Sequence, residues 1–166
     1  REVMPGVPWG RTSQFVTPAD WAARARAHER LGTYGRFKTG QSLVEEYAHC
    51  LLGGHGMRAE VGWAACERVC ASGLLARRAE SAEYETLLRA PLAVDGRMVR
   101  YRFPKRKARQ LAAGAPLVVA LDGLGLDDLA LRARLTELPG VGPKTASWVV
   151  RNARGSDAVA IVDIHI

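Results

Sequence analysis

Two side chains have the types for covalent chemistry at an electrophilic carbon: Lys144 and, 19 residues further on, Asp163. Lys144 closes the stretch Leu138-Pro139-Gly140-Val141-Gly142-Pro143-Lys144, which joins two apolar helical patterns. Turn chemistry accounts for most of it. Gly140 and Gly142 can take positive φ, and Pro143 suits a first helical position, where its missing N–H would be unpaired anyway. The lysine is what remains. A helix N-terminus already offers free N–H groups and a positive dipole end to an anion, and it disfavours a cation. That field favours the neutral amine, and a neutral amine is a nucleophile. A surface lysine that merely binds phosphate fits the hairpin equally well. Asp163 and His165 follow the apolar run 158–162, which is expected to be buried and to expose both of them. Asp163 could serve only as the N-cap of a following helix, or it could place a negative charge near the reacting amine.

The helix after the hairpin can be phased. Ala146, Val149, Val150 and Ala153 fall at i, i+3, i+4 and i+7 and so face the core. Lys144 lies about 200° from Ala146 around the helix. It therefore points off the core, on one side with Ser147, Trp148 and Arg151. Helix, Gly-x-Gly turn, helix is also a sequence-independent clamp for a nucleic-acid backbone.

The other elements read as helices with short connections. Thr17 caps a helix that ends at Gly32, and residues 41–54 form a second, closed by Gly53 and Gly54. Residues 59–73 make a third, with Val61, Ala65, Cys66, Val69 and Cys70 on its buried side. Residues 81–90 make a fourth, stopped by Pro91, and Asp95-Gly96 suits the turn of a short hairpin. Pro104 opens a helix carrying Lys105, Arg106, Lys107 and Arg109, which with Arg102 form the densest basic run. This is either a solvated face or a phosphate-facing patch with Tyr101 and Phe103 beside it. Residues 115–125 read as a short buried segment, residues 126–137 as a helix beginning near Asp127, and the first 16 residues as irregular.

Composition sets the frame. The chain has 166 residues, 48% apolar and 25% charged, one domain's worth with a real core. A formal charge of +7 points to a polyanionic partner, nucleic acid first. Only four of the basic residues are lysines, at 38, 105, 107 and 144, so a lysine in a Gly/Pro turn stands out. Cys50, Cys66 and Cys70 are odd in number and lie in apolar helical contexts, which suggests buried thiols in a reducing compartment. Cys66 and Cys70, four apart, could pinch a metal, but no further ligand sits at a suitable spacing. No signal peptide is visible, and no apolar run approaches the roughly 20 residues of a membrane span.

The segments LPGVGPKTASWVVRN and AVAIVDIHI resemble the helix-hairpin-helix DNA glycosylase superfamily, most closely its bifunctional 8-oxoguanine members. The match is strongest over 127–166 and weaker upstream, in LLGGHGMRAEVGWAACERV and YRFPKRKARQL. The resemblance implies an all-α, two-lobed fold in a single domain, 1–166, with the hairpin at about 127–154 and a catalytic loop at 155–166. It implies Lys144 as nucleophile and Asp163 as catalytic carboxylate. Backbone N–H groups of Gly140, Gly142 and Lys144 would hold a phosphate, and His165 a neighbouring one. Arg151, Lys105, Arg106 and Lys107 are further candidate contacts to DNA. Carbonyls of Thr136, Leu138 and Val141 would hold a structural K+ or Na+, and no other cofactor is required. The partner would be double-stranded DNA containing a damaged base. The protein would act as a monomer in the cytoplasm of a bacterium or archaeon, associated with the nucleoid and not with a membrane.

Family members continue beyond the aspartate with at least one more helix, whereas this sequence stops three residues after Asp163, so the fold is expected to lack its C-terminal helix or helices. Three other readings stay open. One is an endonuclease III-like lyase acting on oxidised pyrimidines, in which an iron–sulfur cluster often follows the aspartate and the Lys–Asp spacing is usually one residue shorter. Another is a DNA-binding module that uses the hairpin only as a clamp. The last is a glycosylase for a different modified purine. Trp9, Trp21, Trp63, Trp148, Tyr34 and Phe37 are candidate base-stacking residues, with packing as the plainer role for each.

Overall fold

The computed structural model describes residues 1–32, 40–54 and 56–162. Tyr34, Phe37, Lys38, Asp163 and His165 lie outside the described residues. Chain contacts divide the protein into two compact units, 1–36 and 37–166.

In the first unit, strands β1 (Glu2–Met4) and β2 (Val7–Pro8) pair antiparallel, so the N-terminal stretch is not wholly irregular. Gly6, at φ +79°, makes the tight reversal between them. Helix α1 (Pro18–Arg30) starts as its sequence dictates. Pro18 occupies the first turn, and the Thr17 hydroxyl accepts the Asp20 N–H at 3.2 Å.

The second unit is predominantly helical: α2 (Leu43–Leu52), α3 (Ala59–Ala71), α4 (Ser81–Arg89), α5 (Pro104–Asp122), α6 (Asp128–Thr136) and α7 (Pro143–Arg154). A two-stranded hairpin of β3 (Leu92–Val94) and β4 (Arg97–Val99) interrupts them. Its turn is the Asp95-Gly96 pair, both at positive φ, as a type I′ turn requires. Helix α2 is the hub and packs against α3, α5 and α7. Its sequence explains this: Leu43, Tyr47, Ala48, Cys50, Leu51 and Leu52 are all buried, an apolar surface too wide for one neighbour. Gly114 lets α5 cross closely, because a methyl group there would overlap the Tyr47 hydroxyl. That hydroxyl donates to the Gln110 carbonyl at 3.1 Å.

Residues 115–125 do not form a separate buried segment. Residues 115–122 complete α5, which runs through Pro116, and Leu117 and Val119 are about half exposed. A mid-helix proline removes one N–H but still permits the helix when neighbouring packing holds it; here Ala115, Val118 and Leu121 are buried in the core.

One polar cluster crosses this core. Glu46 on α2 is fully buried, and its carboxylate accepts the Asn152 side-chain amide of α7 at 2.8 Å and the Gly40 N–H at 2.9 Å. Arg151 donates to the Asn152 carbonyl oxygen from Nε and Nη2, at 3.2 and 2.9 Å. A charge in the interior is tolerated only when it is hydrogen-bonded in this way. The cluster fixes α7, which carries Lys144, against α2.

Candidate active site

The hairpin is built as its residue types require, with one difference. Leu138 N–H bonds to the Leu135 carbonyl at 3.2 Å and Val141 N–H to the Leu138 carbonyl at 3.1 Å, closing successive tight turns after α6. Gly140 has φ +80°, and a side chain there would also overlap the Gln110 amide. Gly142 is different. It is the N-cap of α7 at φ −92° and ψ 176°, extended backbone open to any residue, so the expected positive φ is absent. Nothing lies within 4 Å of where its side chain would be. Neither conformation nor internal packing demands glycine at 142; a group arriving from outside the fold would. Replacing Gly142 by Thr, which caps a helix about as well as Gly, is therefore expected to change stability by less than about 0.5 kcal/mol. Thermal unfolding of the variant beside the wild type measures the change.

Helix α7 presents the expected core face: Ala146, Val149 and Val150 are fully buried and Ala153 is partly so. Lys144 and Trp148, one turn apart, lie off that face and are half-buried. Ser147 was expected beside them, but it is buried and accepts a hydrogen bond from Arg132 Nε at 2.8 Å. That flank of α7 packs on α6, and phasing one helix alone does not show which side its partner covers.

Lys144 and Trp148 open into a cleft of about 390 Å³, within the usual range for small-ligand sites, about 300–1,000 Å³. Three elements make its walls. The end of α2 and the following turn give Cys50, Leu51, Leu52, Gly53 and Gly54, with Met57 beyond. The start of α5 gives Phe103, Arg106 and Lys107, and the start of α7 gives Lys144, Thr145 and Trp148. The basic run thus splits. Arg106 stacks on the Phe103 ring at 4.4 Å and lines the cleft with Lys107, whereas Lys105 and Arg109 are exposed and line no part of it. Arg102 flanks the same ring at 4.9 Å and donates to the Gly56 carbonyl at 3.3 Å. Tyr101 is not available to a ligand; it is buried and its hydroxyl donates to the Leu52 carbonyl at 2.7 Å. Arg151 also stays out of the cleft, with its guanidinium turned to Asn152.

Burial lowers the pKa of Lys107 below the ordinary lysine value, and the Arg106 charge lowers it further. His49 stands behind the wall, edge-on to Trp63 at 4.8 Å and to Trp148 at 6.3 Å. Burial lowers its pKa from the ordinary 6.5, with Glu46 opposing. As pH falls through 6.5 the unfolded chain binds this proton first, so stability drops between 6.5 and the lower native value and is constant above. His49→Phe should flatten that slope, a change read from the difference in melting temperature between pH 7.5 and 5.5.

The apolar run before Asp163 is not buried as a whole. Residues 155–162 are irregular, only Val159 reaches the core and Val162 is 58% exposed. Buried backbone N–H and C=O groups must be paired, and among the described residues no strand pairs with this run. Of the carbonyls expected to hold a monovalent cation, that of Leu138 accepts the Val141 N–H and keeps a second lone pair for an ion. Cys66 and Cys70 have their sulfurs 3.8 Å apart; among the described residues no three His, Cys, Asp or Glu side chains gather as a metal site. Trp21 is exposed, while Trp9 sits under the Arg1 guanidinium at 5.3 Å. Sequence reasoning missed the α2 end of the cleft. Gly53-Gly54 signalled a helix stop, and nothing local marks that stop as a wall of the site.

No protein-family model matches the chain, and no curated protein matches it. No helix among the described residues is long and apolar enough to cross a membrane.

Proposed function

We propose that the protein is a helix-hairpin-helix DNA glycosylase with lyase activity, acting on 8-oxoguanine in double-stranded DNA. The observation that carries this reading is the position of Lys144. It follows a turn that leaves Gly142 open to an external group and stands in the wall of a cleft that also holds two cations and two aromatic rings. A lysine serving only as a backbone clamp has no need of a cleft.

A base inside the duplex stack is out of reach, so the damaged nucleotide is flipped out and its base enters the cleft. N–H groups at the start of α7 hold a backbone phosphate, and a K+ or Na+ on the Thr136, Leu138 and Val141 carbonyls would strengthen that end of the hairpin. Asp163 stabilises the positive charge that grows on the sugar as the glycosidic bond breaks. Lys144 attacks C1′, the base leaves, and the resulting imine acidifies the sugar so that the strand is cut by β-elimination.

The test is incision of a duplex carrying one 8-oxoguanine, with free base followed by chromatography and the nicked strand by gel. Release of 8-oxoguanine together with a nick supports the reading. A nick confined to a thymine glycol duplex moves the assignment to the endonuclease III-like group. Tight DNA binding with no product on any damaged duplex reduces the protein to a clamp.

A further inference from the structure

The cleft holds a second amine. Lys107 lines it from the first turn of α5, and Lys144 lines the same cleft from the start of α7. Lys107 is half-buried, and among the described residues neither it nor Arg106 has a carboxylate partner. A half-buried ammonium without a counter-charge is costly, and the adjacent guanidinium of Arg106, anchored on Phe103, adds to that cost. Both facts loosen the Lys107 amine's hold on its proton, and an amine that has released its proton in a site that makes an imine can accept one from the sugar.

Resting on the glycosylase/lyase reading above, we propose that Lys107 is the proton acceptor of the β-elimination step. Once Lys144 is joined to C1′ as an iminium, the Lys107 amine removes a proton from C2′. The C–H electrons form a C1′=C2′ enamine. The enamine nitrogen returns its electron pair, C2′=C3′ forms, and the C3′–O bond breaks, expelling the 3′-phosphate as a monoester. Lys107 is left as an ammonium and returns the proton to solvent. One base per turnover suffices, and no oxidant, reductant or metal enters the balance.

The other groups facing Lys107 do not compete in the neutral range. Arg106 does not deprotonate, and Lys144 is tied up in the imine. The Cys50 thiol, on the α2 wall, is pushed up by burial and by Glu46 and stays protonated.

The discriminating variant is Lys107→Arg, which keeps the positive charge and phosphate binding but cannot act as a base. Lys107→Met removes both. Single-turnover assays on the 8-oxoguanine duplex would follow base release and nicking together from pH 6 to 9, with borohydride trapping as the control. In the wild type, nicking should rise with pH as Lys107 deprotonates. In Lys107→Arg, trapping should persist, the ratio of nicking to base release should fall at least tenfold, and the pH rise should vanish. Wild-type nicking by Lys107→Arg, with only Lys107→Met impaired, would overturn the proposal and make Lys107 a phosphate contact. Absence of trapping in the wild-type protein would overturn the glycosylase reading itself, and the inference with it.

Discussion

Lys144→Gln is expected to lower strand incision of an 8-oxoguanine duplex by at least about 10³-fold, the scale on which loss of a covalent nucleophile is felt. Gln keeps the length and polarity of most of the side chain, and Lys144 is half-buried at the end of a helix whose core face is elsewhere. The melting temperature should therefore move by no more than a degree or two. DNA affinity should fall only a few-fold, because the proposed phosphate site uses backbone N–H groups that the substitution leaves in place. This separation of chemistry from binding and folding is the signature of a nucleophile. A phosphate-binding lysine would give the opposite pattern, with affinity lost and the residual activity restored at high enzyme concentration. Gel assays under single-turnover conditions, with anisotropy on the same duplex, distinguish the two.

The second large effect concerns stability. Glu46→Ala should cost about 3 kcal/mol, or roughly 10 °C in melting temperature for a unit of this size. The carboxylate is fully buried and takes hydrogen bonds from Asn152 and from the Gly40 backbone. Its removal leaves these donors, and the Cys50 thiol that also points to it, without this acceptor and opens a cavity. Asn152→Ala should cost less, because the Gly40 bond to the carboxylate remains. The two changes should be strongly non-additive, since they share one interaction. Thermal unfolding of the two single variants and the double variant measures the coupling.

The legible parts of this molecule were those with local causes. Thr17 caps α1 as its type suggests, and Asp127, near which α6 was expected to begin, caps that helix with its side-chain oxygen, because capping depends on only three or four successive residues. The Asp95-Gly96 turn and the phase of α7 were equally local. Lys144 could be placed off the core from spacing alone, and the structure puts it there.

What was not legible depends on partners far away in sequence. Ser147 faces α6, which no count along α7 can show. The cleft needs the end of α2, the start of α5 and the start of α7 brought together, and α2 packs against both of the others. The buried Glu46 reads as an ordinary charged position in a helix until Asn152, 106 residues on, is seen against it. Gly140 and Gly142 look alike in the sequence, yet one answers to its backbone dihedral and the other to empty space. The run 158–162 misled because apolar composition signals burial only where an element exists to carry it.

The central claim is that Lys144 forms a covalent imine with the sugar of a damaged nucleotide. Borohydride reduction during reaction with an 8-oxoguanine duplex, followed by proteolysis and mass mapping of the adduct, tests it most directly. The account predicts one reduced adduct, on the peptide containing Lys144, absent from undamaged duplex and from Lys144→Gln. An adduct on Lys107 or another amine, or no adduct while DNA is bound, would contradict it.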